Sequence, residues 1–150
     1  MMNDVSFFIT IDLQRSSVVS KAHLEQIVFE ALSKTDLRQI SLEIVHPKEV
    51  RLWEKILYPL LGLTIPEDTT CLLGTFGSGV VCVSFESGDG FWEADYPMRK
   101  TRNIQMTLPT GEIFIPRSTA CIPREDFIPA ALEFYGSREM PSSIRWRRLE

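Results

Sequence analysis

The chain is poor in the residues that most often build catalytic and metal centres. It carries two histidines, His23 and His46, and three cysteines, Cys71, Cys82 and Cys121. A histidine-based metal site needs further ligands at fixed spacing, and no HExxH, CxxC or paired Cys–His pattern occurs. No GxSxG elbow is present, and no cysteine sits in a nucleophile signature. Gly74, Gly77 and Gly79 in GTFGSGVV have the wrong spacing for a dinucleotide fingerprint, and no GK[ST] follows. That run leads into a β-like stretch with no helix N-terminus to receive a phosphate, so a hairpin turn is expected. These absences argue for no cofactor, no metal and no enzymatic turnover.

Long apolar runs are missing as well. None approaches the roughly 18 residues that cross a bilayer, so no membrane association is expected. The N-terminus, MMNDVSFFITIDL, places an acid before its apolar segment and lacks a small-residue cleavage site, which argues against a signal peptide. The cysteines are odd in number, far apart and beside apolar residues. They read as buried thiols of a reducing cytoplasm, with a disulfide between two of them left open. Basic charge is in deficit: 16 Lys and Arg stand against 20 Asp and Glu, a net charge of −4. This disfavours nucleic acid as the main partner and suits a basic protein partner.

What is present is the patterning of one folded domain spanning residues 1–150. VSFFITIDL reads as a strand. In SKAHLEQIVFEALSK, Leu24, Ile27, Val28, Ala31 and Leu32 recur at helical spacing behind Ser20 as N-cap, predicting a helix over about 20–34. ISLEIV alternates as a half-buried strand. Pro47 opens a second helix whose face holds Val50, Trp53, Leu57 and Leu60, and Pro59 weakens or ends it. CLLGTF, VVCVSFE and FWEADY read as strands, joined by turns at Gly77–Gly79 and Ser87–Gly90. IQMTL and EIFIP form a further hairpin around Pro109-Thr110-Gly111, with Ile104, Met106, Leu108, Ile113 and Ile115 as its apolar residues. PREDFIPAALEFY is a helix with Phe127, Ala130, Ala131 and Phe134 at core spacing. Either it begins near Pro129 or its first turn is distorted, and Gly136 is placed to stop it. SSIRW closes as a short strand carrying Ile144 and Trp146 inward. The expected fold is α+β: a twisted, mostly antiparallel sheet with two to three helices packed on it.

One cluster stands out for function. Glu86, Asp89, Glu93 and Asp95 lie within ten residues that contain no Lys or Arg. They could do acid–base or cation chemistry. They could form a docking surface for a basic partner. They could be a solvated face balanced by Arg99, Lys100 and Arg102 downstream. The candidate partner-binding residues are Asp89, Glu93 and Asp95, with Glu86 and Trp92 behind them.

The C-terminal segment STACIPREDFIPAALEFYGSREMPSSIRWRRL resembles the closing signature of a bacterial immunity-protein family often paired with deaminase toxins. The resemblance rests on Ile122-Pro123-Arg124-Glu125-Asp126, Ala130-Ala131, Phe134-Tyr135, Met140-Pro141 and Ile144-Arg145-Trp146. Met140 departs from the basic residue usual before the proline, and Pro123 stands where a capping Ser or Thr is usual. The hairpin FESGDGFW is similar to the family's central strands. The resemblance implies an immunity protein of the cytoplasm that neutralises a cognate toxin stoichiometrically by occluding its active site. It further implies a toxin with a basic cleft that acidic side chains engage. A small carboxylate- or metal-dependent hydrolase and a structural adaptor are the alternatives.

Overall fold

The computed structural model describes residues 5–47, 52–62, 67–96 and 104–149. Its elements are β1 (Ser6–Ile11), β2 (Gln14–Ser17), α1 (Lys21–Leu32), β3 (Gln39–Pro47), α2 (Leu52–Leu60), β4 (Glu67–Gly77), β5 (Val80–Ser87), β6 (Gly90–Ala94), β7 (Met106–Thr107), β8 (Ile113–Phe114), β9 (Cys121–Pro123), α3 (Phe127–Ser137) and β10 (Trp146–Leu149). Eight strands form one antiparallel sheet in the order β10-β6-β5-β4-β3-β1-β2, with β9 joined to the beginning of β5. β7 and β8 form a separate two-stranded ribbon. The fold is α+β, as the patterning predicts.

Local chemistry explains most element ends. Ser20 caps α1 by accepting a hydrogen bond from the His23 N–H at 3.1 Å. The β4–β5 loop is two residues long, and Ser78 and Gly79 both take positive φ, the geometry that matches strand twist. VSFFITIDL does not run on as one strand. The chain turns at Asp12 and Leu13, and QRSS returns as the edge strand β2. Asp12 anchors that turn by accepting the backbone N–H groups of Arg38 and Gln39, each at 2.9 Å. Four polar residues carry no apolar alternation, so β2 left no trace in the pattern.

The sheet has one covered face. Alternate residues Ile9, Ile40, Leu42, Ile44, Leu72, Phe76, Val81, Val83, Phe85 and Ala94 are buried beneath Leu24, Val28 and Ala31 of α1 and Phe127, Ala130, Ala131 and Phe134 of α3. Aromatic rings carry this contact. Phe134 lies 5.7 Å from Phe7 and 5.8 Å from Phe85, and Phe85 meets Trp92 and Trp146 at 6.0 Å each. Phe127 presses onto Gly74, where a Cβ would stand 2.7 Å from its ring. Gly74 is therefore a close-approach glycine in the strand, needed to seat α3.

On the opposite face a smaller cluster covers one end. Met106, Ala120 and Cys121 bury Val80 and Cys82, and Gly77 admits Met106. The β7–β8 hairpin exists, but its inward residue is Phe114, and Ile113 and Ile115 are exposed. The two-residue strands give alternation too little length to reveal which side faces in.

The C-terminal segment is held by named polar contacts. α3 begins after a 3-10 turn, so Pro129 sits in its first turn, where no intrahelical N–H is required. The helix passes through Gly136. Arg138, in the left-handed conformation, ends it by donating its N–H to the Phe134 carbonyl at 2.8 Å. Arg124 reaches back to the carbonyls of Leu32 and Lys34 at 2.7 and 2.8 Å, tying α3 to the end of α1. The Glu133 carboxylate accepts from the Ser142 hydroxyl and from the Ser142 and Ser143 N–H groups, and the Ser142 hydroxyl above all holds its pKa below the usual value. Trp146 packs on the core and donates its indole N–H to the Pro141 carbonyl at 2.8 Å. The residues of the Ile122 to Trp146 signature are thus mainly fold determinants.

α2 differs from the other helices. It continues one residue past Pro59, and none of its described side chains is buried. Pro47, expected to open this helix, is instead the last residue of β3, paired with Glu67, and Val50, like Arg99, Lys100 and Arg102, lies outside the described residues.

Gly74→Ala is expected to destabilise the protein by about 1–3 kcal/mol, the usual cost of overpacking. Gly88→Ala, with open space around it, should change stability little. Urea denaturation of both variants checks the contrast.

Candidate functional site

The face of the sheet away from α1 and α3 is open outside the Met106 cluster. Strand register sets its side chains in rows that run across the whole sheet. One row reads Leu149, Phe91, Glu86, Cys71, Glu43, Phe8, Ser17. The next reads Arg147, Glu93, Ser84, Leu73, Ser41, Thr10, Arg15. The first row has Cys71 at its centre between Glu86 and Glu43, and the second has Leu73 between Ser84 and Ser41. Phe91 is 54% exposed and Leu149 is 38% exposed, adjacent across β6 and β10.

The candidate residues fall at four places. Glu86 and Glu93 lie on this open face. Asp95 follows β6 at the same edge. Asp89 sits in the β5–β6 turn, where its N–H is received by the Ser87 hydroxyl. Trp92 lies on the covered face, half-buried against Phe85, with the Arg148 guanidinium 5.6 Å above its ring.

Electrostatics divides the acids further. The Glu93 carboxylate pairs with Arg147 beside it on β10 and with Arg117 at 3.6 Å, and is only 16% exposed. Asp95 pairs with Arg145 at 3.8 Å, and Glu43 with Arg15 at 3.7 Å. Among the described residues, the carboxylates of Glu86 and Asp89 have no cationic partner. Both are exposed. Their charge is therefore available to another molecule, whereas that of Glu93 and Asp95 is largely compensated.

Sequence reasoning missed Phe91, Leu149, Cys71, Glu43 and Phe8. Phe91 was legible, since it alternates with Trp92 and shares the parity of Glu93. The others join the site only through register between distant strands. Cys71 illustrates the local field. Its thiol contacts the Ser41 hydroxyl at 3.2 Å, between Glu86 and Glu43. Burial pushes its pKa from 9.0 up to about 11, with the two carboxylates adding to the rise and the Ser41 contact opposing it. Cys82 and Cys121 face each other in register as buried thiols. Their mutual hydrogen bond, and then burial, push the Cys82 thiol well up.

A cleft of about 470 Å³ lies beside this edge, lined by Asp95, Tyr96, Asp126, Pro129, Ser143 and Arg145 among others. It brings two carboxylates and a hydroxyl together, without a histidine or cysteine in its lining. Among the described residues no three His, Cys, Asp or Glu side chains converge as a metal site.

Alkylation of Cys71, read residue by residue by mass spectrometry, is expected to be slow at pH 8 and to rise with a midpoint near pH 11. Glu86→Gln should lower that midpoint. Because the folded pKa lies above the unfolded one, the stabilisation from the neutral thiol is complete below about pH 9 and declines toward pH 11, which denaturation across that range measures. Compared with known proteins, the chain matches no family model and no curated protein.

Proposed function

We propose that this chain is an immunity protein, which binds a cognate bacterial toxin stoichiometrically through the open face of its sheet and blocks the toxin's active site. The observation that carries this reading is the exposed corner formed by Glu86, Asp89, Phe91 and Leu149: two carboxylates with no cationic partner among the described residues, beside two exposed apolar side chains. That combination suits a basic protein surface. The free charges speed encounter, and the apolar pair supplies area that loses water on contact. The similarity of the Ile122 to Trp146 segment to immunity proteins supplies the class of partner, and a nucleic-acid deaminase is the toxin it favours. Its substrate cleft, shaped for phosphates, would receive the carboxylates in their place. The protein acts in the cytoplasm of the producing cell.

Co-expression with the product of the adjacent gene tests the reading. The expected outcome is a stable complex and loss of toxicity; a harmless neighbour, or toxicity unchanged by this chain, refutes it. Glu86→Lys with Asp89→Lys should weaken the complex about tenfold or more, mainly by slowing association, and flatten its salt dependence. Reversal at Glu93 and Asp95 should cost less in association rate, because those charges are already paired. Magnesium, manganese or calcium should leave the melting temperature unchanged; a rise would favour a metal-dependent hydrolase instead.

A further inference from the structure

α2 is an amphipathic helix turned outward. Leu52, Ile56 and Leu60 form one i, i+4 row, and Trp53, Leu57 and Leu61 form the row beside it. All six are exposed, Leu52 at 77% and Leu60 at 76%. Of the described side chains of the helix, only Glu54 and Tyr58 are half-buried. The two apolar rows therefore face water, unlike those of a helix that closes its own core. The six side chains expose on the order of 600 Å² of apolar surface, at the top of what a monomer shows in one patch.

We infer that this face is a self-association surface, covered by α2 of a second copy of the chain. Three properties single out that occupant. Two parallel i, i+4 ridges with a groove between them are self-complementary, and ridges of this kind interdigitate in the commonest class of helix packing. Facing copies through a two-fold axis hide at most about 1,200 Å² in total, which reaches the lower bound for a stable interface when both rows are fully covered. The composition fits as well. Homodimer interfaces are more apolar than the general surface, whereas surfaces for separable partners are not. The patch has no charged residue in either row, while the open sheet face is mixed and charged. Self-association at α2 stands independently of toxin docking at the sheet.

Sedimentation equilibrium of the full chain at about 100 µM, a hundredfold above a micromolar Kd, should show a dimer. Ile56→Glu with Leu60→Glu should sediment as a monomer while keeping the circular dichroism spectrum and melting behaviour of a folded chain, since both side chains lie in water in the monomer. A wild-type monomer at that concentration overturns the inference. So does a dimer that survives the double substitution. Pelleting of monomeric chain with phosphatidylcholine vesicles also overturns it, and assigns the face to a lipid surface.

Discussion

The seating of α3 on one side of the sheet is the contact on which the rest depends. Phe127 reaches the sheet only because Gly74 has no side chain, and Phe134 enters between Phe7 and Phe85. Together with α1 this removes a continuous apolar face from water, the main favourable term in folding a chain of this size. Covering one face also decides the other. Outside the Met106 cluster the residues of opposite parity are turned outward, and the open platform follows from the same pleat that builds the core.

The C-terminal segment shows how a short signature can hold this arrangement. Arg124 satisfies carbonyls at the end of α1, Glu133 binds the turn before β10, and Trp146 closes on Pro141. These contacts fix where β10 meets β6, and hence where Arg147 meets Glu93 and Leu149 meets Phe91. The signature residues shape the Phe91–Leu149 corner from behind without forming it.

Charge is distributed by the same register. Four acids close in sequence are separated into two that are compensated by arginines of β10 and its approach and by Arg117, and two whose carboxylates have no cationic partner among the described residues. Compensation in a half-buried setting keeps Glu93 from being an uncompensated charge near the sheet surface. At the turn, Asp89 and the neighbouring Glu86 remain in water, where long-range attraction costs no desolvation until contact. The apolar face of α2 carries no such charges, so the two outward surfaces differ in the kind of contact each can make.

The sequence by itself determined the α+β class, α1 with its Ser20 cap, the alternating strands, the tight turns and the inward set of α3, because periodicity and capping are local properties of the chain. It also marked Glu86, Asp89, Glu93 and Asp95 as a group. It did not disclose β2, whose polar residues do not alternate, or the true end of α3, where Arg138 rather than Gly136 takes the left-handed conformation. Tertiary structure alone decided which acids are free and which neighbours complete the face. Those facts rest on register between strands distant in sequence, and a one-residue slip would turn every side chain to the other side. The outward orientation of α2 was likewise hidden: an apolar stripe shows that something covers it, and only the packed structure shows that α1 and α3 already fill the core.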